Sequence, residues 1–518
     1  MTTPNIPATG RLNLAIALTL AISGCAVGPE YQTPTMTMAD TYLYASPDKN
    51  DASVQAVPKG GHLTGAVLTK SATVNKATLP AHWWNHYQDP TLNRLITDMQ
   101  NQNLTLQIAA QRIQIADNYK QAVESFKVPS VNIGGGYVNY QLSKNDSLLG
   151  PALNPLGDLS PGLPPQIGNT TLLDNQHDGV FLGAGIAWEL DLFGRIDRQS
   201  NAATIRRDQA EIYRTGLTTL LTADLIHNYI QYRGAQARKQ LAEENIADQR
   251  KTLALVEKVV ASGYGSDLDL AQANAMLAAS QSILPQLDIA AQVHKHRLAL
   301  LLGESLSDIE QRLEDKQPLP ELNSAIPVGL PSDLLTRRPD IQIAEREMAA
   351  INEEWAASVA NRYPKFFLTG APGISAGSFD DLFSSDSFGW VGSAGVSWNL
   401  FDGGRGKALE AINEARFKGA ALGYEQTVNA AIAEVDTTLF TYGRSQANQH
   451  QLDAALKSST QALAKAKSLY QAGLIDHLAV LDAQRQQRMM EDRQIAAKLQ
   501  TAQATVAVYK ALGGDWQI

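Results

Sequence analysis

The chain has 518 residues, is 44% hydrophobic and 18% charged, and carries a formal net charge of -9. That composition excludes a disordered or fibrous chain, and the acidic balance excludes a surface built to replace the counterions of a nucleic acid, so no nucleic-acid partner is expected. One cysteine excludes an intrachain disulfide and a zinc site built from several thiolates, and no run of 18 apolar residues offers a transmembrane helix.

Residues 1–24 read as a signal peptide. They hold one base, Arg11, no acid, and an apolar run from Leu12 to Ile22. Such a core is too short to span a bilayer. The tetrad Ile22-Ser23-Gly24-Cys25 resembles a bacterial lipobox. The resemblance implies cleavage before Cys25 and lipid on its sulfur and new amino group; the alternative is an ordinary buried or free cysteine. Acyl chains would anchor the protein stably, since each buried CH₂ contributes about 0.8 kcal/mol. Residues 25–80 read as a lipidated linker, and the Thr, Ser, Lys and Val mixture of 45–79 carries no functional signature.

The rest of the chain repeats itself. Trp188-Glu-Leu-Asp-Leu-Phe-Gly-Arg195 parallels Trp398-Asn-Leu-Phe-Asp-Gly-Gly-Arg405 at an offset of 210. The same offset relates Gly263 to Gly473, Leu268 to Leu478, and Leu302-Gly303 to Leu512-Gly513. Earlier in each copy, Leu106-Gln-Ile-Ala109 parallels Ile341-Gln-Ile-Ala344 at an offset of 235, so the first copy carries 25 extra residues. Two copies of one large unit follow from this: residues 81–303, a linker over 304–331, and residues 332–518.

Each copy opens with a helical segment, expected at about 91–127 and 332–362. Two stretches rich in glycine and aromatics follow, expected as strands at about 130–142 and 178–192 in the first copy and about 365–376 and 387–400 in the second. Val131, Ile133, Gly135 and Tyr137 alternate with Asn132, Gly134, Gly136 and Val138. Each stretch is close to the 9–11 residues of a tilted membrane strand. Trp188, Phe193, Trp390, Trp398 and Phe401 would suit an interfacial aromatic girdle; the alternative is a small soluble β-domain with an aromatic core. Pro372 leaves one ladder bond unmade and is expected at a bulge or a strand end. Between the first two strands, residues 143–177 hold five prolines and read as a long exposed loop.

Long helices come next, at about 195–262 and 405–472. Each is 68 residues without proline, rich in helix formers, and would span roughly 100 Å. Leu452, Leu456, Leu463 and Tyr470 recur at coiled-coil spacing. Glycines 216, 234, 419, 423 and 443 are expected at bends or interruptions. A glycine turn and a second helical stretch close each copy. Four strands cannot close a barrel, and an open edge in lipid is very costly, so membrane-embedded strands require an oligomer.

With these features in place, the chain resembles the outer-membrane factors of the TolC type, in the lipoprotein branch that includes OprM and the NodT-like proteins. The resemblance rests on Cys25-Ala-Val-Gly-Pro-Glu-Tyr31 with Pro34, Trp83-Trp84, Asp89-Pro90-Thr-Leu92, Leu334-Leu335, Arg337-Arg338-Pro339-Asp340 and the closing Tyr509-Lys-Ala-Leu-Gly-Gly514. It implies an α+β membrane protein with four strands and long coiled-coil helices per protomer. It further implies a homotrimer whose strands form a twelve-stranded β-barrel in the outer membrane. A twelve-helix α-barrel would extend into the periplasm, girdled by residues 81–90 and 304–331. The function implied is a passive exit duct for drugs or other small molecules, working with a periplasmic adaptor and a proton-driven inner-membrane pump. A type I protein secretion duct and a coiled-coil lipoprotein without a pore are the alternatives.

By the same resemblance, the turns Ser262-Gly263-Tyr264 and Ala472-Gly473-Leu474 would meet the adaptor; alternatively their glycines only end helices. Leu478, Asp482 and Arg485 fall at i, i+4 and i+7 on one helical face. In a trimer they would stack as three rings and close the periplasmic entrance; alternatively Asp482 and Arg485 form only an exposed ion pair. No catalytic or metal site is expected. Gly373-Ile-Ser-Ala-Gly377 fits the nucleophile-elbow pattern, but an acidic loop follows it in place of a helix. His294 and His296 face different sides of a helix, and no cofactor is expected beyond lipid on Cys25.

Overall fold

A computed structural model describes residues 27–36, 38–44, 72–73, 82–141, 143, 176–321, 326–327, 329, 331–475 and 477–514. Cys25, nearly all of 45–79 and most of the 143–177 connector lie outside the described residues. In the first copy, α1 (Pro90–Gln102) and α2 (Leu104–Glu124) lead into strands β1 (Ser130–Gln141) and β2 (Gln176–Leu190). Helices α3 (Arg195–Ala261), α4 (Asp267–Gln281), α5 (Ile283–Leu302) and α6 (Leu306–Arg312) follow. The second copy runs α7 (Leu334–Arg337), α8 (Pro339–Ala360), β3 (Lys365–Ala376), β4 (Phe388–Ser397), α9 (Arg405–Gln471) and α10 (His477–Ala511).

The long helices are 67 residues each and run without interruption through all five glycines expected to break them. Two of these glycines mark close approaches instead. A Cβ at Gly216 would lie 2.7 Å from Pro339 Cβ, and one at Gly234 would lie 2.4 Å from Leu499 Cδ2. At both positions a side chain would meet the neighbouring segment.

The entry helices are broken where single helices were expected. Asn103 leaves the helix with extended backbone. Its amide donates to Leu301 O at 2.6 Å and its carbonyl oxygen accepts Leu106 N at 3.0 Å, so it ends α1 and caps α2. In the second copy Pro339 forces Arg338 into an extended conformation and separates α7 from α8. Helix α1 itself begins where Pro90 sits at its start and Asp89 accepts Thr91 N and Leu92 N at 2.8 and 3.0 Å. It buries Leu92, Leu95, Ile96 and Met99, an i, i+3, i+4, i+7 stripe.

The four strands form one antiparallel sheet in chain order, β1-β2-β3-β4. Among the described residues neither outer strand has a second neighbour. Opposed residues share a face, so the register sorts the side chains. One face carries Ser130, Ala187, Thr369 and Ser393 in one row, and Gly134, Gly183, Gly373 and Gly389 in another. The other carries Ile133 with Ala184, Leu368 with Ala394, and Ile374 with Phe388. From Tyr137 and Val180 to Leu190 and Val396 this second face holds no charged residue. Pro372 neither bulges nor ends its strand. Pairing of β2 with β3 lapses at Ala371 and Pro372 and resumes at Gly370 in the same register, so the missing N–H costs one local gap.

The residues cluster into two compact units. The first (1–32, 117–205, 349–418) contains the sheet. The second (33–116, 206–348, 419–518) holds most of the helices and the largest buried core. Within it, Trp83 stacks on Tyr509 with ring centroids 4.1 Å apart. Burial, and then the charge of the Tyr442 phenol, pushes the Tyr509 hydroxyl up to about 12.

The 81–90 and 304–331 segments, expected as one girdle, both dock on α3 around a buried Arg233. Arg233 Nη1 donates to Asp315 O at 2.7 Å and Gln236 Oε1 at 2.8 Å, and its Nε donates to Tyr229 O–H at 3.1 Å. Tyr229 donates in turn to Asp89 Oδ2 at 2.6 Å, and Tyr232 to Leu313 O at 2.9 Å. Burial and then the Asp89 carboxylate hold the Tyr229 phenol well above its usual range. Removing one partner from such a network strands the others in a dry interior. Arg233→Met is therefore expected to destabilise the folded protein by about 3 kcal/mol, whereas Arg238→Met, which breaks a half-exposed pair with Asp492, costs under about 1 kcal/mol. Chemical denaturation of the two variants side by side checks the contrast.

Candidate functional site

The turns that end α3 and α9 have one geometry. Gly263 and Gly473 have φ of 78° and 72°, the left-handed region open to glycine. Gly263 N donates to Val260 O at 2.9 Å and Tyr264 N to Val259 O at 3.0 Å. Gly473 N donates to Tyr470 O at 2.9 Å and Leu474 N to Leu469 O at 3.0 Å. Both are Schellman closures, which satisfy the last carbonyls of α3 and α9. The residue after each glycine ordinarily folds back on the helix, but here Tyr264 is 90% and Leu474 71% exposed. Each turn therefore presents one bare apolar side chain, with Ser262 and Ala472 exposed beside the glycines. The first turn differs after its glycine. Gly265 lies where a Cβ would meet Val260 Cγ2 at 2.8 Å, and Ser266 forms a capping box with Asp269 that starts α4.

Beyond the second turn, α10 carries the expected face. Arg485 Nη2 is hydrogen-bonded to Asp482 Oδ1 one turn away, with both side chains about two-thirds exposed (65% and 68%). The Leu478 side chain lies outside the described residues. Deeper along α10, Arg488 binds α3 through Asp248 at 3.2 Å and Glu244 at 3.4 Å, while Glu491 on its own helix lies at 3.2 Å. Burial alone would lower the Arg488 guanidinium, but the Asp248 hydrogen bond and the Glu491 charge raise it. Gln484 Nε2 donates to Asp248 Oδ2 at 2.9 Å, and Arg238 holds Asp492 through two bonds of 2.7 and 3.1 Å. A cavity of about 380 Å³ lies among α3, α4 and α10, lined by Arg485, Arg488, Met276 and Met489. Sequence reasoning missed this cluster. Its signal was the run Arg485, Arg488, Glu491 and Asp492 at three- and four-residue spacing. Nothing local says that Asp248 and Arg238, some 240 residues earlier, answer it.

At the base of the sheet the repeat shows again. Trp188 Nε1 donates to Lys127 O and Trp398 Nε1 to Arg362 O, each at 3.0 Å. In both copies the tryptophan leaving the sheet binds the last carbonyls of the segment entering it, so these two indoles splice strand to helix. Trp390 lies eight residues from Trp398, roughly 27 Å along the strand, and so belongs to the far end of the sheet. The five expected girdle aromatics therefore do not share one level. Phe193 and Phe401 lie past the ends of β2 and β4. Phe193 packs on Tyr363 with centroids 4.9 Å apart, while Phe401 is 88% exposed.

Cys25 falls outside the described residues, yet the chain just after it is placed. Val27 N donates to Phe193 O at 3.3 Å, and Asn352 Nδ2 donates to Pro29 O at 3.2 Å. Between them Gly28, at φ 116°, presses on α8, where a Cβ would lie 2.7 Å from Ala356 Cα. The amino-terminal strap is thus held two residues from Cys25 at the junction of sheet and helix. Gly373 to Gly377, the nucleophile-like pattern, spans the end of β3 and the start of a turn-rich loop, which lacks the strand-to-helix elbow that such a motif needs.

The family model for outer membrane efflux proteins matches residues 95–304 and 330–514. The outer membrane protein OprJ of Pseudomonas aeruginosa is 28% identical over 512 residues, covering 98% of this chain and 96% of that protein. The toluene efflux pump outer membrane protein TtgI of Pseudomonas putida is 28% identical over 509 residues, covering 96% and 97%. Among solved structures, the outer-membrane channel OprN is 30% identical with a TM-score of 0.78, covering 95% of this chain and 99% of that one. The CmeC outer membrane channel of Campylobacter jejuni, 18% identical, shares the fold with a TM-score of 0.80 over 95% and 96%. With its two matched halves coinciding with the two sequence copies, the chain belongs to the outer membrane efflux protein family.

Proposed function

We propose that this outer-membrane protein is the passive exit duct of a tripartite efflux system, serving drugs or other small molecules and shut at its periplasmic tip until an adaptor engages it. The observation that carries the reading is the sheet: one face without a charged residue from Tyr137 and Val180 to Leu190 and Val396, the other rich in glycine, serine and threonine, and both edges unpaired among the described residues. In lipid each unpaired backbone group costs several kcal/mol, so the edges must be closed by other copies. A homotrimer gives twelve strands and continues into a twelve-helix tunnel. From Phe388 to Trp398 the apolar face runs ten residues, roughly 33 Å along the strand, which at the usual barrel tilt covers about 25 Å of hydrocarbon.

Lipid on Cys25 supplies a second anchor at the membrane edge, because the strap fixes Val27 beside Phe193. Tyr264 and Leu474 offer the adaptor apolar contacts, and energy comes from a proton-driven inner-membrane pump. Relatives named for efflux of toluene and of cations favour a small-molecule duct over a type I protein secretion duct. At the tip, Leu478, Asp482 and Arg485 from three protomers form the closing rings, backed by the clamp of Arg488 on Asp248.

Three outcomes are expected. Cys25→Ser abolishes palmitate labelling in cells, and retained label would remove the lipid anchor from this account. Leu474→Asp, and more weakly Tyr264→Asp, lowers capture of the adaptor by cross-linking at least about tenfold, the result of placing about 1.4 kcal/mol or more against the contact, while bilayer conductance stays unchanged. Asp482→Ala raises single-channel conductance several-fold, since each exposed pair holds under about 1 kcal/mol; an unchanged trace would sink the gate.

A further inference from the structure

Helices α3, α4 and α10 leave space where they meet. The cavity of about 380 Å³ among them has an apolar wall of Leu241, Ala279, Ile283, Leu287, Met276 and Met489. An extension of about 90 Å³ shares Asn245, Gln249 and Met276 with it and adds Val256 and Leu481. Met276 and Met489 are partly open to solvent, and such flexible side chains adapt to guests of differing shape. The charges around the cavity are already paired. Arg238 holds Asp492, Arg485 holds Asp482, and Arg488 holds Asp248 and Glu491. Two polar atoms of the lining residues are not satisfied. Arg488 Nε, a donor, and Gln249 Oε1, an acceptor, are buried without a hydrogen-bond partner among the described residues. Folded proteins rarely leave such groups unmet, because each one costs its full desolvation.

We infer that this cavity is a binding site for a small neutral amphiphile, an alcohol or phenol on an apolar ring body, and that its occupant ties the first half of α10 to α3 and α4. A hydroxyl both donates and accepts. It therefore answers an orphaned donor and an orphaned acceptor once small rotations turn those side chains toward the guest. A charged guest would find no free counter-charge and would have to break an existing pair. An apolar cavity of about 150 Å³ takes a benzene ring, so about 380 Å³ takes two fused rings. The walls belong to both sides of the clamp: Leu241 and Gln249 stand on α3, Arg488 and Met489 on α10. A guest that binds only the assembled walls favours the state that assembles them. The site stands independently of the duct reading; that its occupant would help keep the tip shut rests on that reading.

The test is fluorescence titration of 2-naphthol into the purified full-length protein in lipid nanodiscs at neutral pH, with empty nanodiscs subtracted. The wild type is expected to bind 2-naphthol about fivefold more tightly than naphthalene, the worth of one hydrogen bond, and at least about tenfold more tightly than the anion 2-naphthalenesulfonate. Gln249→Leu is expected to weaken 2-naphthol about fivefold and to leave naphthalene unchanged. Ala279→Phe fills the cavity from α4 and is expected to abolish binding; Ala242→Phe fills it from α3, should the first variant fail to fold. With 2-naphthol at about ten times its dissociation constant, amide hydrogen exchange over residues 481–492 of α10 is expected to slow about tenfold. Uptake no greater than by empty nanodiscs, uptake that survives both phenylalanine variants, or naphthalene bound as tightly as 2-naphthol overturns the site. Binding that leaves the exchange unchanged overturns the tie to α10. A protein that binds 2-naphthol in this way yet conducts no ions in a bilayer upholds the site and removes the duct reading, so the two failures are distinguishable.

Discussion

Four antiparallel strands with one apolar face leave two rows of backbone N–H and C=O groups without partners, one along β1 and one along β4. In water such edges are solvated. In hydrocarbon nothing replaces the water, and closure by neighbouring copies is the one solution that leaves no edge. The rest of the architecture follows from that constraint. On the proposed duct reading, the face rich in glycine and serine lines a path once the apolar face meets lipid, and the helices carry that path on, because α3 and α9 begin within a few residues of β2 and β4. The indoles of Trp188 and Trp398 bind backbone carbonyls at those same junctions, so the strand ends and the preceding segments cannot slide independently.

The repeat made much of this legible in advance. An offset of 210 aligned Gly263 with Gly473, and the two turns share both bonds of the closure, onto Val259 and Val260 in one and Leu469 and Tyr470 in the other. Strand limits were readable because alternation and glycine content change sharply at Ser130 and Lys365. What stayed hidden depends on partners far away in the chain. Glycines 216 and 234 looked like helix breakers, because their crowding by Pro339 and Leu499 is invisible in a local window. The Asn103 break required knowing that Leu301 O would be there to accept its amide. Arg233 gave no sign of burial, since Asp315, whose carbonyl it binds, and Asp89, which holds its neighbour Tyr229, come from two other segments.

Among the candidate site residues, the turn glycines and the Asp482–Arg485 pair were readable from spacing alone, because both are local geometries. The girdle was less so. Composition picks out aromatics but does not give their height, and the register is needed to separate Trp390 from Trp398. Phe193 drew attention as a membrane contact, yet its ring packs on Tyr363 and its carbonyl holds the amino-terminal strap. A single residue there joins the end of β2 to the segment that follows Cys25.

Helix α10 is held by different forces at its two ends. Its last turn and the residue after it bury Val508, Tyr509, Ala511 and Leu512 in the main core, with Trp83 stacked on Tyr509. Displacing them would re-expose apolar area at about 25 cal/mol per Å². Its first half is held differently. Arg485, Arg488 and Asp492 bind carboxylates and guanidinium groups around a cavity of about 380 Å³. Water can replace each of those bonds at small net cost, and the void means little packing is lost. One helix thus joins a fixed end to a releasable one, and the releasable end adjoins the exposed Leu474 turn. In the proposed duct, an adaptor that gained only a few kcal/mol at that turn would therefore compete with the ionic clamp without threatening the core.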